Sequence, residues 1–203
     1  MSIEIKLSKK PIHYEKAMLF LNKRVEDIKN GHNKELIWIL EHPKTYTAGV
    51  SFKQNEVLDK KIKIIRTNRG GKITLHNPGQ KIIYFTINLN NRKKDIRKLI
   101  NAIEKSIIEF LKIFKIKAKK DKKNIGIWVK DKKIAAIGLR VSRWIAFHGF
   151  SINISNNLND YLKIAPCGLD NTKITSIYSE KNYIPKDCGE KIINIFLKNI
   201  NKL

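Results

Sequence analysis

The chain has few cysteines and no long apolar run, and both absences restrict its class. Two cysteines in 203 residues, Cys167 and Cys188, provide no disulfide framework, so we expect a reducing environment. No apolar stretch approaches the ~18 residues of a membrane span. The first residues, Met1 to Lys16, mix charged and apolar positions and lack the apolar region of a signal peptide. We therefore expect a cytoplasmic protein with no membrane partner.

Acidic residues are also scarce, and the imbalance points to the partners the protein could attract. Only 18 aspartates and glutamates face 42 lysines and arginines, a formal net charge of +24. Such a surplus favours an acidic partner. A second interpretation is compositional, because the chain is rich in lysine, isoleucine and asparagine throughout. The aromatic residues are not interleaved with basic ones as in nucleic-acid-binding motifs, so we expect no nucleic-acid partner.

The regular spacing of apolar residues predicts one domain over residues 1–203. No repeat and no linker rich in Pro, Gly or Ser interrupts the chain, and its 42% hydrophobic content suits a globular core. The spacing predicts helices over Tyr14–Lys29, Asp95–Phe114, Leu158–Lys163 and Gly189–Lys198.

Apolar runs bounded by turn residues predict the strands of the same domain. Two single strands are predicted over Glu35–Glu41 and Trp144–Ile154. Two hairpins are predicted as well: Lys72–His76 with Lys81–Leu89 around Asn77-Pro78-Gly79, and Ile125–Val129 with Lys133–Val141 around Lys130-Asp131-Lys132. This order predicts an α+β fold, with a mixed, mostly antiparallel sheet and flanking helices to one side.

The Pro166-Cys167-Gly168 turn is the first candidate for chemistry. Proline fixes φ and glycine tolerates positive φ, so the turn could present a thiol at a surface. A cysteine nucleophile needs such access and a neighbour that promotes thiolate formation. The alternative is a small apolar residue in a loop. Cys188, before Gly189, matches no active-site pattern and is interpreted as a helix-entry or packing residue.

Three further segments combine glycine with histidine, lysine or arginine beside a predicted strand. Each alone is a weak signal: His42 and His76 are more often structural, and Lys133 alone suggests a solvated hairpin residue. Two distant cysteines and scattered histidines give no zinc pattern, so we expect no metal. The segments are Arg69-Gly70-Gly71-Lys72-Ile73-Thr74-Leu75-His76, Lys133-Ile134-Ala135-Ala136-Ile137-Gly138 and Phe147-His148-Gly149-Phe150-Ser151.

Together these segments resemble the lipoyl(octanoyl) transferase family. The interval from Lys133 to Cys167, 167 − 133 = 34 residues, also looks like that family. Leu75 departs from the family's usual aromatic residue, and Asn77 from its usual glycine. The resemblance spans about Glu35 to Ser176 and adds these further matching motifs: Glu41-His42-Pro43, Tyr46-Thr47-Ala48-Gly49 and Pro78-Gly79-Gln80.

The resemblance implies an acyltransferase whose fold is similar to the catalytic domain of biotin and lipoate ligases. Such enzymes transfer an octanoyl group from acyl carrier protein to a lysine of a lipoyl domain through a cysteine thioester. By resemblance Cys167 is the nucleophile and Lys133 its partner, and no cofactor is expected. The positions that match the family's substrate site are Arg69, Gly70, Gly71, Lys72, Ile73, Thr74, Leu75, His76, Ala136, Ile137, Gly138, Gly149, Phe150 and Ser151.

The resemblance also implies partners. The donor is octanoyl-acyl carrier protein; the acceptors are lipoyl domains of 2-oxoacid dehydrogenase complexes and the glycine cleavage H protein; the enzyme itself is expected to be a monomer. Acyl carrier proteins are acidic, so a basic face would steer them to the site.

Three questions stay open at the level of sequence. The Lys133/Cys167 pair could be ammonium and thiolate or a neutral pair. An ATP-dependent lipoate or biotin ligase is an alternative activity, although no Walker-type phosphate loop is present. A non-catalytic basic binding protein is a third interpretation, which leaves the motifs unexplained.

Overall fold

The computed structural model describes residues 2–121, 124–165 and 173–203, which form two sheets and four α-helices. Short 3₁₀ helices cover Gln54–Glu56, Leu89–Asn91 and Leu158–Lys163. The α-helices are α1 (Tyr14–Lys29), α2 (Ile96–Ile113), α3 (Ile177–Lys181) and α4 (Cys188–Ile200). The strands are β1 (Ile3–Leu7), β2 (Glu35–Leu40), β3 (Thr45–Ala48), β4 (Ile64–Arg66), β5 (Ile73–His76), β6 (Gln80–Asn88), β7 (Lys119–Lys120), β8 (Ile127–Val129), β9 (Lys132–Ser142) and β10 (Ile145–Asn153).

The larger sheet has seven strands in the order β1-β2-β6-β10-β9-β8-β7. Among these strands β1 and β2 pair in parallel, and all other neighbouring strands of the sheet pair antiparallel. The smaller sheet has the order β4-β3-β5, with β3 parallel to β4 and antiparallel to β5. The α+β class and the mixed, mostly antiparallel sheet are therefore confirmed.

Helices cover both faces of the large sheet, so the expectation of helices to one side is wrong. The central strands are apolar at successive positions, and a strand's side chains alternate between faces. On β2, Ile37 and Ile39 join the core beneath α2 and α4. Leu36 and Trp38 point the other way and pack against Leu21 of α1. A strand that is apolar on both faces needs cover on both.

The predicted helices over Tyr14–Lys29 and Asp95–Phe114 are confirmed. Asp95 is the N-cap of α2, where its carboxylate accepts from the backbone N–H of Lys98 at 3.0 Å. Phe114 follows the last helical residue. Neither these helices nor any other in the described part of the chain is long and apolar enough to span a membrane.

The hairpin predicted around Asn77-Pro78-Gly79 is wrong, because its two strands belong to different sheets. β5 pairs with β3, a short strand that the apolar pattern did not reveal, while β6 pairs with β2 and β10. The turn is instead bonded to distant segments: Asn77 Nδ2 donates to the Asn157 carbonyl at 2.9 Å. The Gly79 N–H donates to Glu41 Oε2 at 2.8 Å. The second hairpin, β8 with β9, is confirmed.

A buried ion pair holds β2 to the segment after β6, and its removal should destabilise the fold. Both carboxylate oxygens of Glu35 accept from Arg92, Oε2 at 2.8 Å, with each side chain under a tenth exposed. Glu35→Leu leaves the guanidinium buried without its carboxylate. It should lower the free energy of unfolding by about 3 kcal/mol in urea denaturation.

The control for this prediction is the pair of Glu26 and Lys29 on α1, in which the glutamate is exposed. Glu26→Leu removes an ion pair that solvent screens, so its cost should stay within about 0.5 kcal/mol. Equal losses in the two variants would contradict the structural role given to Glu35.

Candidate active site

A cavity of about 730 Å³ lies where the two sheets approach each other. Its wall brings together Lys133 at the start of β9, the loop between β4 and β5, and the middle of β10. Every position matched to the family's substrate site lines it except Leu75: Arg69, Gly70, Gly71, Lys72, Ile73, Thr74, His76, Ala136, Ile137, Gly138, Gly149, Phe150 and Ser151.

Leu75 lies behind the cavity wall. It is fully buried in the core of the small sheet, with Tyr46, Tyr161 and Ile164. Its backbone carbonyl accepts from the Tyr161 hydroxyl at 3.2 Å. The leucine that stands in place of the family's usual aromatic residue therefore packs in this core and is not part of the cavity surface.

Lys133 is a buried lysine, only 6% exposed, and not the solvated hairpin residue that its neighbours in the sequence suggest. Its Nζ lies 5.5 Å from the ring centre of Trp128. Gly126 packs against the same side chain, because a Cβ added there would collide with Cε of Lys133. The Lys133 side chain thus lies between the ring of Trp128 and the space that Gly126 leaves open by lacking a side chain.

The main chain of Lys133 pairs with the segment that follows the cysteine turn. The Lys133 N–H donates to the Lys173 carbonyl at 2.8 Å, and the Thr175 N–H donates to the Lys133 carbonyl at 2.9 Å. Cys167 itself lies outside the described residues. On the other flank, the Ala165 N–H donates to the Glu56 carbonyl at 2.8 Å. Ala165 and Lys173 flank the segment that contains Cys167. Ala165 is therefore hydrogen-bonded to Glu56, and Lys173 to Lys133.

The loop that carries Arg69 is bonded to both sheets. Arg69 Nη2 donates to the backbone carbonyl and the hydroxyl of Thr47, at 2.8 Å each. The Gly70 N–H donates to the Leu139 carbonyl of β9 at 3.0 Å. A Cβ on Gly70 would lie 2.9 Å from that carbonyl oxygen, so only glycine lets the loop lie so close to β9. This contact keeps the glycine pair at the cavity wall.

Two buried histidines, His76 and His148, line the cavity near Arg69, and a third, His42, packs against His76. All three are uncharged at neutral pH. Burial lowers the pKa of His42 to about 4 and the pKa of His76 and His148 to about 3. The positive charge of Arg69 adds to the lowering at His76 and His148. In His42, Nδ1 faces the Ile12 carbonyl and must donate to it, so Nε2 accepts from the Tyr84 hydroxyl at 2.9 Å.

His148 has an unusual backbone conformation for a strand residue. Its φ of 68° is in the left-handed region, and its ring stacks on that of its neighbour Phe147, with centroids 4.9 Å apart. Regular alternation would send these two side chains to opposite faces. The turn of the backbone brings His148 Nε2 to 2.7 Å from Asn68 Oδ1, next to Arg69.

Several residues line the cavity without having been singled out in the sequence. Tyr14 comes from the first position of α1, and Ile82 and Tyr84 come from β6. The two β6 residues could have been found from alternation, since they share the face that α1 covers. Tyr14 carried no such signal. The cavity thus joins apolar side chains to cations, Arg69 and Lys133 among them, and to uncharged polar groups. Among the described residues no cluster could hold a metal ion.

The neutral histidines make folding sensitive to acid. Each takes up a proton near pH 6.5 in the unfolded chain but only near 3 to 4 in the fold, so stability falls as the pH drops through this window. At pH 5 each should cost about 2 kcal/mol. His148→Gln should therefore reduce the loss of unfolding free energy between pH 7 and pH 5 by about that amount in urea denaturation.

The matched control is His32→Gln, since His32 is exposed in the turn after α1. That variant leaves the three buried imidazoles in place, so the loss of unfolding free energy between pH 7 and pH 5 that they cause should be retained. A His148→Gln protein whose stability falls with pH as steeply as the control would contradict the buried, neutral state of His148.

Comparison with known proteins identifies the family of the chain. The family model of the lipoyl protein ligase A/B catalytic domain matches residues 13–197. The octanoyltransferase of Ehrlichia chaffeensis is 44% identical over 181 residues, covering 86% of this chain and 85% of that protein. The octanoyltransferase of Wolbachia sp. subsp. Brugia malayi is 40% identical over 205 residues, covering 98% and 96%.

Solved structures share the fold at much lower sequence identity. A lipoate-protein ligase A bound with ATP superposes with a TM-score of 0.79 at 14% identity, covering 99% of this chain and 86% of that one. The biotin protein ligase from Aquifex aeolicus gives a TM-score of 0.57 at 13% identity, covering 98% and 69%. The expected biotin/lipoate ligase-like fold is confirmed, and by its sequence relatives the chain belongs to the lipoyl(octanoyl) transferase family, a family of acyltransferases.

Proposed function

We propose that this enzyme transfers an octanoyl group from acyl carrier protein to a lysine of lipoyl domains, through a thioester on Cys167. Octanoyl transfer in lipoate biosynthesis follows from the relatives of the chain. The observation that carries the mechanism is Lys133, a buried lysine in a largely apolar cavity. Its main chain is paired with the segment that follows Cys167.

In the first step the Cys167 sulfur attacks the carbonyl carbon of the carrier-bound thioester. The new S–C bond replaces the old one, and the proton of the cysteine thiol ends on the departing carrier thiol. Lys133 assists either as an ammonium that stabilises the thiolate or as a neutral amine that takes the proton. One thioester replaces another, so the step is close to isoenergetic and needs no ATP.

In the second step the ε-amine of the acceptor lysine attacks the same carbonyl. An amide bond forms, the Cys167 thioester breaks, and the proton lost by the amine passes by way of Lys133 to the thiol. The tetrahedral intermediate needs N–H donors for its oxyanion. Since the Gly70 N–H already donates to Leu139, the adjacent N–H of Gly71 is the better candidate of the glycine pair.

The acyl chain is recognised by burial. Ile82, Ile137 and Phe150 contribute apolar surface to the cavity. Each CH₂ group removed from water contributes roughly 0.8 kcal/mol to binding. Because the cavity has a limited length, an acyl chain gains this contribution only up to the length that fits inside. A polar acyl group would lose this contribution.

The proposed partners are those of the family: octanoyl-acyl carrier protein as donor, and lipoyl domains of 2-oxoacid dehydrogenase complexes and the glycine cleavage H protein as acceptors. The charge of +24 would speed encounters with acidic carriers and make them sensitive to salt. We propose that the reaction takes place in the cytoplasm and that the enzyme is a monomer.

The thioester is tested by intact-protein mass spectrometry after incubation with octanoyl-acyl carrier protein. We expect one octanoyl group, located on Cys167 by peptide mapping and absent from Cys167→Ala. Cys188 should carry none, because it is buried, with its thiol 3.3 Å from the Pro185 carbonyl. A folded enzyme that never acquires the adduct, or that transfers free octanoate with ATP after Cys167→Ala, would contradict the proposal.

Lys133 can be tested against its neighbour in the same strand. Lys133→Met should slow both loading of Cys167 and transfer to the lipoyl domain by about 10²- to 10⁴-fold, the usual contribution of a positioned acid–base group. Lys132→Met is the control, since Lys132 is exposed one residue earlier in β9. Stopped-flow measurement of the two half-reactions distinguishes them, and similar rates in both variants would exclude Lys133 as the partner.

A further inference from the structure

A chain of buried amides determines which nitrogen of His76 carries its proton. The Thr175 carbonyl can only accept, so Asn153 donates to it through Nδ2 at 3.0 Å. Asn153 Oδ1 is then an acceptor, and Gln80 Nε2 donates to it at 2.9 Å. The Leu75 carbonyl fixes the same orientation, since it accepts from Gln80 Nε2 at 3.2 Å. Both contacts leave Gln80 Oε1 as the acceptor toward His76.

The proton of His76 is therefore on Nδ1. Nδ1 lies 2.7 Å from Gln80 Oε1 and must donate to it. A neutral imidazole that donates through Nδ1 has a lone pair on Nε2. Burial keeps the ring neutral by lowering the pKa of His76 to about 3. His76 lines the cavity, and among the described residues its Nε2 has no hydrogen-bond partner.

The surroundings of His76 favour this neutral state. The His42 and Tyr14 rings pack against it, with centroids at 5.6 and 6.2 Å. The charge of Arg69 disfavours a second proton. These groups and the amide of Gln80 together present a fixed hydrogen-bond acceptor, and not a donor, to the contents of the cavity.

We infer that Nε2 of His76 accepts a hydrogen bond from the attacking amine of the acceptor lysine, and that Gln80 is the positioning residue that fixes this tautomer. The inference rests on the proposed function. At the reacting centre the acyl thioester offers only acceptor atoms, whereas the amine carries N–H groups. A fixed acceptor therefore recognises the second substrate and not the first. The same lone pair repels an oxyanion, so the side chain of His76 does not stabilise the tetrahedral intermediate.

The tautomer can be read directly from the free enzyme. In a ¹⁵N-edited NMR spectrum of histidine-labelled protein at neutral pH, His76 should show a protonated Nδ1 and an unprotonated Nε2. The signals are assigned by their loss in His76→Gln. A protonated Nε2 in the natural protein would overturn the inference. This readout needs no acyl transfer, so it stands even if loading of Cys167, and with it the proposed function, were to fail.

The role of Gln80 is tested by its effect on the two half-reactions. Gln80→Met removes the acceptor for Nδ1, so the Nε2–H tautomer should appear in the NMR spectrum. Transfer to the lipoyl domain should slow about tenfold, the effect of one hydrogen bond. Loading of Cys167 should change less than twofold.

The control for loss of a buried amide is Asn199→Met. Asn199 is equally buried but bonds Ser106 and Glu109 on α2 and does not line the cavity. Both half-reactions should be unaffected there. Equal slowing of loading and transfer in Gln80→Met would overturn the positioning role, as would an unchanged tautomer. If that variant does not fold, the spectrum of the natural protein decides, since a protonated Nε2 there would overturn the inference.

Discussion

The site depends on one short stretch of main-chain pairing, between Lys133 and residues 173–175. Lys133 is the second residue of β9, and the two hydrogen bonds of its main chain join that strand to the residues that follow the cysteine segment. The pairing also buries the lysine side chain against Trp128 and above Gly126. Because Thr175 belongs to the same stretch, its carbonyl also begins the chain of amides that ends at His76. The lysine and the histidine are thus fixed by one contact.

The cavity exists because the chain changes sheets at the Asn77-Pro78-Gly79 turn. A hairpin there would have placed β5 beside β6 and closed the space. Instead β5 joins β3, and the loop before it lies on the edge of β9 through the Gly70 contact with Leu139. The two sheets then enclose a space that has apolar side chains, such as Ile82, Ile137 and Phe150, as well as polar groups around Arg69 and Lys133. An acyl chain needs the first kind of surface and a reactive thioester the second.

Sequence patterns predicted the parts of the fold that depend on local periodicity. The spacing of apolar residues in α1 and α2 was enough to locate both helices. The face that α1 covers was missed, since periodicity does not say which side of a sheet a helix occupies. β3 was missed because Thr45–Ala48 is too short to carry a pattern. The wrong hairpin has the same cause, since its true partner strand was invisible.

The site was predicted in the same uneven way. The resemblance named residues that line one cavity in the structure, because the motifs of a family contain positions that are close together in the fold. It could not give Leu75 its place in the core, since only packing separates a wall residue from the one behind it. Gln80 and Asn153 were absent from the predicted site for a related reason. They matter because they set the direction of hydrogen bonds. That direction depends on groups far apart in the chain, since Gln80 bonds Asn153 and Asn153 bonds the Thr175 carbonyl.

The central claim is that Lys133 and the Cys167 thioester act together in this cavity. A crystal structure of the octanoyl-enzyme tests it most directly. We predict that the acyl chain occupies the space between the two sheets, with Lys133 Nζ within hydrogen-bond reach, about 3.2 Å, of an atom of the thioester. An acyl chain bound elsewhere, or a lysine turned away from the Cys167 sulfur and carbonyl, would contradict the account.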